Sequence, residues 1–112
     1  MAFQTGDIVL VPYPFTDQSS SKARPAVIIS GELYNLEHPD LVLGALTTNV
    51  LAANGTFDYV LKDWQTAALR FESAFKPLIA TLDRTLILHS IGRLSQPDFM
   101  QIVSRVRQVF ER

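Results

Sequence analysis

The stretch Asp7-Ile-Val-Leu-Val-Pro-Tyr-Pro-Phe15 decides the class of fold. Its two prolines each remove a helical N–H donor and clash with the preceding turn, so a helix is excluded. The aliphatic run over 8–11, by contrast, suits a pleated, half-buried surface. We read a strand over 7–12, opened by a turn at Gly6. The following residues, Pro14-Phe-Thr-Asp-Gln-Ser-Ser-Ser-Lys-Ala-Arg24, have loop chemistry, being polar and rich in Ser and Asp that bond their own backbone. So long a loop in so short a chain points to function.

Working outward, Pro25-Ala-Val-Ile-Ile-Ser30 reads as a second strand with Pro in first place, where a missing N–H is tolerated. Leu41-Val-Leu-Gly-Ala-Leu-Thr47 is continuously apolar, a third strand buried on both faces. After the turn pair Asn54-Gly55, Thr56-Phe-Asp-Tyr-Val60 alternates with period two and reads as a half-exposed strand. Residues 62–69 suit one or two helical turns, and 73–82 and 85–91 are further strands joined near Asp83-Arg84. Then the period changes. Ser95-Gln-Pro-Asp98 is a helix start, with a capping hydroxyl, Pro in the first turn and a carboxylate near the positive end of the dipole. Phe99, Ile102, Val103, Val106 and Phe110 follow at spacings of three and four, on one helix face. The expected fold is mainly β (α+β): a small antiparallel barrel with a C-terminal α-helix, one domain over residues 1–112.

Composition narrows the function. The chain has 112 residues, 47% of them hydrophobic, and no cysteine. That length buries roughly two-thirds of the unfolded chain's surface, enough for a core without staples. Thiol catalysis, zinc-thiolate sites and disulfides are excluded together, which fits a reducing compartment. No apolar run approaches the roughly 20 residues that span a bilayer, and the acidic, Arg-free N-terminus lacks signal-peptide features, so a cytoplasmic location and no membrane partner are expected. The formal charge of −1, from 10 Lys plus Arg and 11 Asp plus Glu, argues at first against nucleic acid. It conceals a split: residues 1–60 hold two basic and six acidic side chains, residues 61–112 eight and five. Converging basic groups can therefore form a local positive groove.

Two polar features break the core pattern. Arg24-Pro25 closes the polar loop at the mouth of the second strand, and Thr47-Thr48-Asn49 ends the third. If those strand ends meet at one rim, a guanidinium stands beside hydroxyls, an arrangement suited to phosphate. Ser19, Ser20, Ser21 and Lys22 add donors for the same anion. Each has a plainer reading: Arg24 as a surface loop residue, Thr47 as a strand cap, Thr48 and Asn49 as turn residues. His38 reads as a loop residue, His89 as a strand residue with a satisfied ring, and Trp64 as a core or dimer contact rather than a stacking platform. Arg84, Arg93, Arg105 and Arg107 read as solvated unless a dimer gathers them. Asp7, Asp58, Asp63 and Asp83 do not have metal-ligand spacing, so no metal is expected.

The sequence resembles the PemK/MazF-family toxins of type II toxin–antitoxin systems. The likeness is carried by Gly6-Asp7-Ile8-Val9, Lys22-Ala-Arg-Pro-Ala-Val-Ile-Ile-Ser30, Ala45-Leu-Thr-Thr-Asn49, Leu61-Lys-Asp-Trp64 and the Ile91-Gly92-Arg-Leu94 core of residues 88–95. Gly-Asp and Arg-Pro are its specific parts. The resemblance implies an SH3-like barrel of the CcdB/PemK/MazF type, a homodimer that acts as a metal-independent, cofactor-free endoribonuclease on single-stranded RNA, mRNA above all. It assigns catalysis to Arg24 and Thr47, with Ser20, Ser21, Lys22, Thr48 and Asn49 as substrate contacts. Cleavage would use the RNA's own 2′-OH as nucleophile, leaving a 2′,3′-cyclic phosphate and a 5′-OH, so DNA would not be cut. Arg24 would neutralise the nonbridging oxygens and Thr47 would donate to the same centre. Arginine stays protonated in proteins, so the group that deprotonates the 2′-OH is left unassigned. A cognate antitoxin with an acidic, disordered tail is the implied partner, and DNA binding is implied only through that complex. One departure stands out: where many members carry Gly-Ser-Glu-Gln, this chain has Asp17-Gln-Ser-Ser-Ser21, with the acidic residue displaced. The alternative is a catalytically inactive or gyrase-directed binding module of the same fold.

Overall fold

The computed structural model describes residues 3–12 and 22–112. Its six strands form one antiparallel sheet: β1 (Asp7–Pro12), β2 (Ala23–Ile28), β3 (Asp40–Thr47), β4 (Tyr59–Val60), β5 (Ala74–Asp83) and β6 (His89–Arg93), in the spatial order β4-β5-β3-β2-β1-β6. The sheet curls into a half-barrel, with β4 and β6 as its two edges, and the C-terminal helix α2 (Gln96–Val109) lies against it. The mainly β fold with one long helix at the C-terminus is thus the fold the chain adopts.

Alternation along the strands makes two cores. Ile8, Val27, Leu46 and Phe75 face α2 and are sealed by Ile102, Leu61, Ala67 and Leu94, while Val9, Val11, Ala26, Ile28, Leu41, Leu43 and Ala45 line the other face with Phe3, Leu82 and Ile87. A sheet apolar on both faces explains why β3 reads as one unbroken apolar run. Complete burial of a side chain such as Ile102 contributes about 1.5–3 kcal/mol. Ser95 caps α2, its Oγ accepting from the Asp98 N–H at 3.3 Å. Phe110, expected on the helix's buried face, follows the last helical residue and is 72% exposed.

Curvature comes from two irregularities. The β3–β5 register shifts between Gly44 and Ala45, which pair with Ile79 and Lys76, so Pro77 sits where no ladder N–H is required. The β1–β6 register shifts between Ile8 and Val9, which pair with Gly92 and Ser90.

Several boundaries differ from the sequence reading. β2 begins at Ala23, so Arg24 is its second residue and Pro25 its third; the ladder to β3 starts only at Ala26, one residue past the proline that has no N–H to give. Residues 31–37 hold a helix the sequence did not announce, α1 (Glu32–Glu37) behind Gly31. The expected strand at 56–60 shrinks to Tyr59–Val60, because Asp58 accepts from the Gly55 N–H at 3.0 Å and turns the chain there. Over 62–69 the chain makes hydrogen-bonded turns at 64–68, with the Ala67 N–H on the Asp63 carbonyl at 3.1 Å, closed by Ala68 at φ 67. The expected strand over 85–91 starts only at His89, since Arg84–Leu86 is a 3-10 turn whose entry is capped by Asp83. Thr85 donates to that carboxylate from its hydroxyl at 2.7 Å and its N–H at 2.9 Å, holding Asp83 below the usual carboxylate range.

Candidate functional site

Antiparallel order gathers particular chain ends on one rim. β1 finishes there at Pro12, β2 starts at Ala23, β3 finishes at Thr47, β5 starts at Ala74 and β6 starts at His89. The polar residues at those termini therefore become neighbours although they are far apart in sequence.

Arg24 pairs with Val11 on one side and Thr47 pairs with Ala74 on the other. The β2–β3 ladder matches Ala26 with Ala45 and Val27 with Gly44; continued two residues to the rim, the same register sets Arg24 level with Thr47. Residues level across antiparallel strands project from the same face. Both are half-buried, and among the described residues Arg24 has no ion-pair partner. The Thr47 hydroxyl accepts from the Asn49 N–H at 3.1 Å, which bends the chain out of β3 and leaves the hydroxyl's own hydrogen to be donated. Arg24 and Thr47 are thus brought together, and the strand-cap reading of Thr47 describes the acceptor half of its chemistry. Lys22, Thr48 and Asn49 are exposed at the same rim. Ser19, Ser20 and Ser21, like the displaced Asp17, lie outside the described residues.

The C-terminal arginines do not join them. Arg84 donates to the carbonyls of Asn35 at 2.6 Å, His38 at 2.7 Å and Pro39 at 3.1 Å, fastening α1 to the end of β5. Arg93 pairs with Asp7 at 3.0 Å and also donates to the Gln4 side chain. The Gly-Asp opening is therefore structural: Gly6, at φ 90, turns the chain so that Asp7 meets Arg93 across the sheet. Arg105 lies 4.8 Å from the Tyr59 ring centroid and donates to the Asp58 carbonyl at 3.2 Å. Arg107 lies with Glu111 along a groove formed by α2 and its C-terminal extension, containing none of the candidate residues. Each cation serves a separate place.

A further basic residue, Arg70, lines a cleft near these strand ends, and sequence reasoning passed it over. Segment 68–73 and the ends of β1, β2 and β6 enclose this cleft of about 590 Å³, which includes Thr48 and the paired Leu10 and Pro25, which strand alternation turns to the sheet face opposite Arg24 and Thr47. Arg70, Phe71 and His89 also line it. His89 is exposed at the start of β6, unlike the held ring expected, whereas His38 stacks on Tyr34 at the end of α1 and Trp64 packs against the core cluster beneath α2, in line with its core reading.

A second unanticipated residue anchors the chain upstream of this cleft, at residues 62–63. Asp98 is fully buried on α2, where it accepts from the Tyr59 hydroxyl at 2.6 Å, the Lys62 N–H at 3.1 Å and the Asp63 N–H at 2.8 Å. Burial first, then this carboxylate, pushes the Tyr59 phenol well above its usual range. From Asp63 the chain turns once and lays the Ala67 carbonyl against Gly92, so closely that a Cβ there would stand 2.1 Å from the oxygen. The Asp98 carboxylate stands in the first turn of α2, as the sequence indicates, and also serves a neighbouring segment, which only its burial and its contacts reveal.

The model of the PemK-like, MazF-like toxins of type II toxin–antitoxin systems matches residues 4–110. No curated protein sequence matches the chain significantly. Among solved structures, MazF (Form-I) from Deinococcus radiodurans superposes with a TM-score of 0.74 at 17% identity, covering 97% of this chain and 96% of that one. An endoribonuclease from a mycobacterial species, in complex with its cognate antitoxin, gives 0.73 at 17% identity, over 96% and 91% of the two chains. The Mycobacterium tuberculosis toxin MazF-mt6 gives 0.73 at 16% identity, over 93% and 95%. At such identities the structural likeness is one of fold, and the family model, spanning nearly the whole chain, supplies the rest. The chain belongs to the PemK-like, MazF-like toxins of type II toxin–antitoxin systems.

Proposed function

We propose that this chain is an endoribonuclease that cuts single-stranded RNA, mRNA among it, without a metal or cofactor, and that its cognate antitoxin restrains it. The observation that supports the reading is the β2–β3 register, which, continued past Ala26 and Ala45, sets Arg24, a guanidinium with no ion-pair partner among the described residues, level with Thr47, a hydroxyl whose hydrogen is left to donate. Structural neighbours bearing the name endoribonuclease, one of them bound to its cognate antitoxin, support it.

In the reaction, the RNA 2′-OH loses its proton and attacks the adjacent phosphorus; the P–O5′ bond breaks, leaving a 2′,3′-cyclic phosphate and a 5′-OH. Arg24 binds the nonbridging oxygens as their charge grows, and Thr47 donates to the same centre. Lys22, Thr48 and Asn49 are exposed where they can hold the flanking strand. A homodimer would place two such rims in one particle, and an acidic antitoxin tail would compete with RNA for their cations.

The test is incubation of the purified protein with a long single-stranded RNA and the matching DNA, both in EDTA, with the new ends identified by mass spectrometry. RNA cut to cyclic-phosphate and 5′-OH ends, with DNA intact, is the expected result. Arg24→Ala should lower the rate about 100- to 1,000-fold, the usual cost of a preorganised donor. RNA left whole, or cut equally well by Arg24→Ala, would overturn the enzymatic reading and leave a binding module of the same fold.

A further inference from the structure

The sheet face that carries Arg24 and Thr47 is apolar along its three central strands apart from one small group. On β2, β3 and β5 its ladder positions are alanine, leucine or isoleucine save for Arg24, Thr47 and Lys76. These three are neighbours. Lys76 pairs with Ala45 and Thr47 with Ala74, which makes Lys76 the diagonal neighbour of Thr47 on one side, as the continued register makes Arg24 its level neighbour on the other. The intervening places, Ala26, Ala45 and Ala74, carry only methyl groups, so the hydroxyl is flanked by two long cationic side chains. Lys76 is held loosely. Its ammonium stands 3.7 Å from the Asp58 carboxylate, beyond hydrogen-bond length, and the same oxygen accepts from the Gly55 N–H at 3.0 Å. The Asp58 side chain is nearly buried while that of Lys76 is 34% exposed. A pair so open to water stabilises little, which leaves the three donors of the ammonium available to an anion.

We propose that Lys76 is a second phosphate-binding cation of this site: while Arg24 and Thr47 hold the scissile phosphate, its ammonium exchanges Asp58 for the adjacent phosphate of the RNA. The inference rests on the ribonuclease reading and deepens it, because it sets the bound strand across β2, β3 and β5, which lie side by side in that order. Positive side chains spaced along a surface are what tracks a single-stranded backbone. β5 is paired on one side with β3 and on the other with β4, so the strand that carries Lys76 is fixed and its flexible four-carbon stem makes the move. No bond is made or broken by Lys76. Its contribution is charge, and Asp58 stands in for the phosphate until RNA arrives.

The experiment uses a fluorescein-labelled RNA oligonucleotide spanning a cut site mapped with wild-type protein, carrying a 2′-deoxy nucleotide at the attacking position so that it binds uncut. Its affinity is measured by fluorescence anisotropy over a series of KCl concentrations. One phosphate contact in a single strand contributes about 0.7 to the slope of log affinity against log salt. Lys76→Gln should reduce the slope by that amount and weaken binding roughly fivefold at about 0.1 M KCl, the two lines meeting at about 1 M. Lys76→Arg should keep the wild-type slope. Arg107→Gln, on α2 against the opposite sheet face, removes the same charge and should also keep it. Wild-type cleavage that Arg24→Ala abolishes, with the slope unchanged in Lys76→Gln, overturns the role of Lys76 alone, even where its binding is weaker. So does an equal fall of the slope in Arg107→Gln. A wild-type protein that cuts no RNA overturns both readings.

Discussion

The Tyr59 hydroxyl donates to the Asp98 carboxylate at 2.6 Å, joining β4 to α2 across 39 residues of sequence. Two backbone N–H groups, of Lys62 and Asp63, share that carboxylate. Asp98→Ala leaves all three donors without their acceptor, and buried donors left unmade make a loss of about 3 kcal/mol the expected result. Asp98→Asn should be milder, since its oxygen still accepts but its NH2 faces an N–H. Urea denaturation of the two variants measures both.

The same pair makes the fold sensitive to alkali. The Tyr59 pKa is raised on folding, by burial and then by its hydrogen bond to Asp98. A raised pKa means that the stabilisation is whole below the unfolded value, about 10, and fades as pH climbs from there towards the folded value. Denaturation midpoints should therefore fall above pH 10 more steeply in the wild type than in Tyr59→Phe. In an alkaline absorbance titration, Tyr59→Phe should remove a tyrosine that ionises well above pH 10.

Gly92 is required by close approach. A methyl there would lie 2.1 Å from the Ala67 carbonyl oxygen and 2.9 Å from its carbon, both backbone atoms. Gly92→Ala should cost about 1–3 kcal/mol, the range of an overpacked site, with no change in the dependence on denaturant concentration.

Thr47 offers a test of its donor role, at the structural cost of the one bond its hydroxyl accepts from the Asn49 N–H. Thr47→Val keeps the branched shape of a half-buried strand terminus while deleting the hydroxyl, and should lower kcat about 100- to 1,000-fold with KM little changed. Thr47→Ser restores the donor and should stay within about tenfold of wild type. Single-turnover cleavage of a short RNA separates the two constants.

The elements legible in the sequence were those whose burial is simple. β1, β3 and β5 carry long apolar or alternating runs, and α2 carries its cap and a three-four spacing, so period alone identifies them. α1 was illegible because its leucines, Leu33 and Leu36, are 70% and 85% exposed and mark no buried face. The strand expected over 56–60 failed on Asp58, whose carboxylate turns the chain at Gly55 and takes a contact from Lys76 at 3.7 Å. Of the candidate site, Arg24, Thr47, Lys22, Thr48 and Asn49 were named from motif and chemistry. Arg70, Phe71 and His89 were not, since nothing local distinguishes an exposed residue beside a cleft from one facing open water.

By itself, the sequence determined the secondary-structure period, the absence of thiols, the family, and which few polar residues interrupt an apolar pattern. These are local properties, written in neighbouring residues. Only the tertiary structure decided which cations already have partners among the described residues. Arg84, Arg93 and Arg105 are tied to carbonyls, an aspartate and a tyrosine ring in three different places, while the antiparallel register carries Arg24 to Thr47. The physical reason is that a side chain's partners are set by the strand order and by burial, and neither is a property of the residues on either side of it.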